Sequence, residues 1–275
     1  MVWCHRKEED NTRLAVWITG AACVFWVAAC GGRVSNIAEQ DHVAKREMSK
    51  EAQTAAFLRT VDKGRLDEVC AFLNEGQDVD AMDSASRSAL ALAIGHGYSG
   101  IATELLRRGA SVTQRRTDGT TVIFQAAASG DEEILLRLIE SGADVNARDN
   151  AQNTPLMLAT IDGNDGVAQI LIEQGAAVNA RNTRGQTAML IAATEGESEM
   201  IRVLADAGGA VNVTDAEGRS PLMMAASRGC LEAVSVLLEK GANPELVDTA
   251  GKTAVEMAAT AGFSEIVAIL KGTSD

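Results

Sequence analysis

Histidine and cysteine are the side chains of this chain best suited to act as nucleophiles, general bases or metal ligands, and both are sparse. The 275 residues contain three histidines and five cysteines. A zinc site or a Ser-His-Asp triad needs several such groups in a recognisable motif, and the sequence contains none. Its glycines also lack the spacing of a P-loop or a dinucleotide-binding turn. The sequence therefore predicts no enzyme, no metal site and no cofactor.

One cysteine, Cys30, does lie in a chemically suggestive context. It follows Leu14–Ala29, a run of about 16 residues without a charge, which is short for a membrane span. The run ends in Val27-Ala28-Ala29-Cys30, an aliphatic residue and two small residues before cysteine. This pattern resembles the lipobox of bacterial lipoproteins. The resemblance implies that residues 1–30 hold a signal peptide and that Cys30 becomes the lipidated N-terminus.

Two other interpretations of the leader stay open. The apolar run is also compatible with an uncleaved signal anchor, or with a plain signal cut near Ala29. In each case the rest of the chain lies outside the cytoplasm. Gly31-Gly32 lacks the aspartate that retains some lipoproteins in the inner membrane, so we expect an outer-membrane lipoprotein facing the periplasm. Residues 31–50 are then a tether.

Beyond residue 50 the chain is organised by glycines at intervals of 33 residues. Each interval holds two short apolar runs with helical spacing, too short to be stable helices without neighbours. One glycine separates the two runs, at positions 64, 97, 130, 163, 196, 229 and 262. A second glycine ends the second run, at positions 76, 109, 142, 175, 208 and 241.

These copies resemble the ankyrin repeat, whose signature T-P-L-H-x-A appears here as Thr154–Ala159 and Ser220–Ala225 without the histidine. The repeat's tail appears as Gly142–Ala147. The resemblance implies an all-α solenoid of about seven helix-turn-helix repeats joined by short hairpins. The predicted repeats are 51–83, 84–116, 117–149, 150–182, 183–215, 216–248 and 249–275.

The net charge of −13 argues against a nucleic-acid partner, because phosphates require a basic face. Cys70 and Cys230 fall in the second helices of copies one and six. At roughly 8–10 Å per repeat they are about 40–50 Å apart, too far for a disulfide. His96 occupies a turn position that varies freely between copies, so we expect an exposed histidine there.

In ankyrin repeats, partners commonly dock on the hairpin tips and on the exposed side of the inner helices. The resemblance therefore implies candidate protein-binding residues by register. An alternative is that Asp149 and Asp215 only bond their own turns. The candidates are Arg115, Arg116, Asp118, Arg148, Asp149, Asn153, Asp162, Arg181, Arg184, Gln186, Glu195, Glu217, Arg219 and Arg228.

Together these observations predict a membrane-tethered protein-binding scaffold of the bacterial cell envelope, with a protein partner and no small-molecule substrate. One alternative is a structural or inhibitory partner of a single envelope protein. Another is a signal-anchored protein with the same repeats. A third is an enzyme or small-ligand binder, which a pocket lined by converging polar groups would favour.

Overall fold

The computed structural model describes residues 50–272, which form an all-α stack of paired helices, as the sequence predicts. The leader, Cys30 and most of the predicted tether lie outside the described residues, as do residues 273–275. The first helix, α1, covers residues 50–62. The others are α2 (Leu66–Asn74), α3 (Ala89–Gly95), α4 (Ser99–Arg107), α5 (Val122–Ser129), α6 (Glu132–Glu140), α7 (Pro155–Ile161), α8 (Asp165–Glu173), α9 (Ala188–Glu195), α10 (Ser198–Asp206), α11 (Pro221–Arg228), α12 (Leu231–Glu239), α13 (Ala254–Ala261) and α14 (Ser264–Gly272).

Serine and threonine set the start of most first helices of the pairs. The Thr154 hydroxyl accepts a hydrogen bond from the Met157 amide at 3.4 Å, and Pro155 follows at the first helical position. This satisfies an amide that has no partner inside the helix, and proline loses nothing there because its position needs no donor. At the other end of such a helix, Gly196 adopts a φ of 82° and reverses the chain into α10.

The helices pack in two rows, in chain order. Each first helix of a pair contacts the first helices before and after it, and the second helices form a parallel row in the same way. The core is a continuous layer of aliphatic residues and alanine, with Phe57 and Phe124 as its largest members. Because each pair buries its apolar face only against its neighbours, the fold is stable as a stack and not as separate units.

Asparagines at 33-residue intervals link the loops that follow the second helices. Asn146 donates from Nδ2 to the Gly175 carbonyl at 3.0 Å and accepts from the Ala177 amide at 2.7 Å. Asn179 and Asn212 repeat this pattern one and two units later. Neighbouring repeats are therefore joined by polar bonds as well as by the core.

A hairpin turn precedes each first helix from α3 onward. In each turn the amide of the first residue donates to the carbonyl of the fifth, and residue four has a positive φ. Glycine supplies that conformation in four of the six turns, but Ser86 and Gln152 adopt it with φ values of 58° and 62°. We call these turns the hairpin tips; they are 83–87, 116–120, 149–153, 182–186, 215–219 and 248–252.

The two cysteines and His96 lie at or close to their predicted positions. Cys70 lies in α2, but Cys230 is at the N-cap of α12 and not inside the helix; both thiols are free. His96 is exposed as predicted, although its Nε2 also lies 2.9 Å from a carboxylate oxygen of Asp62. In residues 50–272, no helix combines the length and apolar character that a membrane crossing requires.

Candidate functional site

Three of the predicted recognition arginines each lie immediately before a hairpin tip and bond the residue that precedes the next tip. Arg115 donates from Nη2 to the carbonyl of Arg148 at 2.6 Å, and Arg148 donates from Nη1 to that of Arg181 at 2.9 Å. Arg181 donates in turn to the Thr214 carbonyl at 2.7 Å. We call these three residues the arginine ladder. Their guanidinium groups are hydrogen-bonded within the protein, so the ladder links the residues that precede neighbouring tips.

Asp149 and Asp215 bond their own turns, as the alternative interpretation predicts. Asp149 accepts from the amide of Asn153 at 2.7 Å and from its side-chain nitrogen at 2.8 Å. The buried Asp215 carboxylate accepts from Nη2 of Arg219 at 2.6 Å. Burial opposes ionisation of Asp215, but its hydrogen bonds with the side chain and amide of Arg219 lower its pKa overall. Both carboxylates therefore shape the tips.

Most of the remaining candidates are also bonded within or between tips. Asp118 accepts from the Thr120 hydroxyl at 2.6 Å, and this bond is the main reason why the pKa of Asp118 is lowered. The side chain of Asn182 donates to the side-chain oxygens of Asn153 and Gln186, at 3.0 and 3.3 Å. Those two candidates thus belong to adjacent, connected tips. Glu217 accepts from Arg219 at 3.2 Å.

Four of the candidate protein-binding residues project into solvent. Asp162, Arg184, Glu195 and Arg228 are exposed, and within residues 50–272 their side chains make no hydrogen bond or salt bridge. Asp162, Glu195 and Arg228 occupy equivalent positions at or beside the C-terminal ends of α7, α9 and α11, which are consecutive in one row. Ile161, beside Asp162, is 48% exposed. We call these five residues the exposed row.

The last candidate, Arg116, lines a small pocket of mixed polar and apolar character that the sequence did not lead us to expect. The pocket lies between the first two hairpin tips and the helices that follow them, and its volume of about 10 Å³ has room for roughly one water molecule. The other residues of its wall are Ser86, Ser88, Ala91, Gln114, Val122 and Gln125. The side-chain oxygens of both glutamines are buried and have no hydrogen-bond partner. A comparison of the copies with one another would have singled out Gln114, because every equivalent position is apolar.

A third buried side-chain oxygen without a hydrogen-bond partner lies in α8. Oδ1 of Asp165, in the first turn of α8, accepts no hydrogen bond. Burial, with a smaller contribution from the charge of Glu199, raises the pKa of Asp165. No group of three or more metal-ligating side chains occurs within the described part of the chain.

The paired helices, the tips and the 33-residue register agree with the comparison with protein families. A model of ankyrin repeats in three copies matches residues 57–149, 123–215 and 204–274. The chain belongs to the ankyrin-repeat family. Ankyrin repeats are protein–protein interaction scaffolds and usually not enzymes, and no catalytic family matches. A search of the curated proteins found no match.

Proposed function

We propose that this ankyrin-repeat protein is a membrane-tethered scaffold of the bacterial cell envelope, which captures a protein partner on its hairpin tips and the exposed row. The observation that carries the proposal is the exposed row itself. It contains two acidic side chains, two basic side chains and an exposed isoleucine, and within residues 50–272 the four charged side chains make no hydrogen bond or salt bridge. Such groups are available for intermolecular pairing without breaking an internal bond.

The membrane tether rests on the sequence of the leader. Val27-Ala28-Ala29-Cys30 is suited to peptidase cleavage and lipidation at Cys30, and several acyl chains hold a protein stably on a bilayer. Residues 31–49 then space the repeats from the membrane. An uncleaved anchor would give the same topology with residues 1–30 retained.

Intrinsic fluorescence separates these two forms of the leader. All three tryptophans, Trp3, Trp17 and Trp26, precede Cys30, so a lipidated mature protein has none. Membrane-extracted protein should show no tryptophan emission, and Cys30→Ser should restore it by blocking processing. Tryptophan emission from the wild-type protein would refute lipidation and indicate the anchor.

Charge reversal in the exposed row tests capture of a partner. Wild-type protein crosslinked in intact cells should yield a specific partner by mass spectrometry, and Arg184→Glu with Arg228→Glu should reduce its recovery about tenfold. Arg59→Glu, an exposed charge reversal in α1, is the matched control. Equal recovery from both variants would remove the exposed row from the binding surface. A single stoichiometric partner would favour the structural or inhibitory alternative.

A further inference from the structure

Neighbouring helix pairs are not joined equally along the stack. The chain passes from one pair to the next at the glycine after each second helix, so we name each junction by that glycine. The Gly109 junction separates residues 50–108, which contain α1–α4, from residues 109–272. Three kinds of contact can cross a junction besides the apolar core, and the 33-residue register makes them comparable between junctions.

The first kind of contact covers the glycine between the two helices of a pair. The ring of Tyr98 is so close to Gly64 that a Cβ there would lie 2.9 Å from it, and Phe263 approaches Gly229 in the same way. The side chains of Asn164, Glu197 and Cys230 likewise cover Gly130, Gly163 and Gly196. At Gly97, however, no side chain in the described part of the chain comes within 4 Å of the position that a Cβ would take.

The side chain that the register places over Gly97 is that of Asp131, which caps its own helix instead. Its Oδ1 accepts a hydrogen bond from the Ile134 amide at 3.0 Å. Its Oδ2 accepts from the Ser99 hydroxyl at 2.7 Å, and this bond crosses the Gly109 junction. The junction therefore keeps a polar bond at this place but lacks the packing contact.

The second kind of contact joins the hairpin tips and the residues just before them. The arginine ladder crosses the next three junctions, but Met82 occupies its register at this one. At the last junction, the Thr249 amide donates to the Glu217 carbonyl at 3.0 Å. Among residues 50–272, no hydrogen bond joins the tips 83–87 and 116–120 or the residues just before them.

The third kind of contact, the asparagine link between loops, is incomplete at the Gly109 junction. Asn146 and its equivalents both donate and accept across their junctions. Asp80 has this position here, and it accepts from the Ser111 amide at 2.7 Å, but a carboxylate has no hydrogen to donate to the opposite carbonyl. Apart from the bonds that end α4, the hydrogen bonds that cross this junction within the described residues are those of Asp80 with Ser111 and of Ser99 with Asp131.

We infer that the stack opens at the Gly109 junction and that α1–α4 separate from the other helices as one unit. In a linear array of repeats, opening occurs where the interaction between neighbours is smallest. The core continues across the junction through packing of α3 on α5 and of α4 on α6, so the closed stack remains the stable state. Tyr98 over Gly64 and a 2.6 Å bond from Arg108 to Asn74 hold the first two pairs together. Opening uncovers apolar surface of α5 and α6, and it does not depend on the proposed function.

Hydrogen exchange of the full-length protein, measured by mass spectrometry at low urea concentrations, tests this inference. The slowest amides of α1–α2 and of α3–α4 should share one protection factor and one urea dependence, and should exchange about tenfold faster than those of α7–α10. Ser99→Ala removes a hydrogen bond across the junction and should speed exchange throughout α1–α4 about fivefold. Met82→Arg supplies the missing ladder position towards the Arg115 carbonyl and should slow that exchange about fivefold.

Two substitutions at equivalent positions of other repeats are the controls. Ser198→Ala changes the matching serine of α10, whose hydroxyl makes no hydrogen bond within residues 50–272. Thr214→Arg extends the arginine ladder at the last junction. Neither control should change hydrogen exchange in α1–α4.

Three results would overturn the inference. Exchange of α1–α2 ahead of α3–α4, with a urea dependence of its own, would mean that the stack frays pair by pair from its end. Equal protection of α1–α4 and α7–α10 would mean that the Gly109 junction is as strong as the others. If Ser99→Ala changes exchange in α3–α4 but not in α1–α2, or acts no more strongly than Ser198→Ala, the two pairs do not open together at this junction.

Discussion

Replacing Arg148 should weaken the stack, because this residue bonds both its own hairpin tip and the residue that precedes the next tip. The side chain donates to the Arg181 carbonyl at 2.9 Å and to the Gln152 carbonyl at 3.3 Å. Each such bond contributes about 0.5–1.5 kcal/mol net. Both carbonyls belong to exposed residues that water can reach in the variant, so the lower end of that range applies. We therefore expect Arg148→Ala to lower the free energy of unfolding by about 1–1.5 kcal/mol.

Thermal unfolding of the full-length protein measures this effect. For a domain of this size each kcal/mol corresponds to roughly 2–4 °C, so the midpoint should fall by about 2–6 °C. Arg184→Ala removes an arginine of the next hairpin tip whose side chain makes no hydrogen bond, and its free energy of unfolding should stay within about 0.5 kcal/mol of wild type. Arg148→Met keeps the aliphatic stem and removes only the donors.

The two comparisons decide whether the hydrogen bonds are responsible. If Arg148→Ala and Arg184→Ala unfold at the same temperature, the arginine ladder does not stabilise the stack. If Arg148→Ala is destabilised and Arg148→Met is not, packing of the stem is the cause. Only equal decreases in the free energy of unfolding for Arg148→Ala and Arg148→Met would show that the hydrogen bonds of the arginine ladder stabilise the stack.

Three further predictions concern backbone strain and ionisation. Gln152→Gly should increase the free energy of unfolding by about 1 kcal/mol, seen as a higher urea midpoint, because the φ of 62° at this position favours glycine. Gln152→Ala should not increase the free energy of unfolding. Because the pKa of Asp165 is raised in the folded protein, its protonated carboxyl stabilises the fold below the ordinary pKa, and this contribution is lost as pH rises. The Asp165→Asn variant should therefore be more stable than wild type at pH 7 and equal to it in stability near pH 3. Equal effects at both values would contradict this. Hydrogen bonds from Arg107 and Arg108 lower the pKa of Glu104 from 4.5 to about 2, so its contribution is present above pH 4.5 and lost as pH falls towards 2; Glu104→Gln should flatten acid denaturation in that window.

The fold could be predicted because its main determinants are local and repeated. Gly163 and Gly175 mark helix ends through a positive φ that other residues rarely adopt, and both have it in the structure. Thr154 and Pro155 mark a helix start for equally local reasons. Since such signals recur every 33 residues, errors at one copy are corrected by the others.

The site was harder to predict because the repeat register gives the backbone position of a residue but not the direction in which its side chain points. The 33-residue spacing places Arg115, Arg148 and Arg181 at equivalent positions immediately before three consecutive tips. It cannot show that each guanidinium turns along the stack to the next carbonyl and not towards solvent. Gln114 and Gln125 are eleven residues apart, so their convergence depends on how the hairpin folds onto α5.

The direction of the bonds between repeats has a consequence for synthesis of the chain. Two carbonyls in the last turn of α5, those of Ala127 and Ala128, accept hydrogen bonds from the side chain of Asn164, which lies 37 and 36 residues later. On the ribosome, α5 therefore emerges before its own cap has been translated. At this junction, therefore, the third repeat gains its complete set of hydrogen bonds only after part of the fourth repeat has been synthesised.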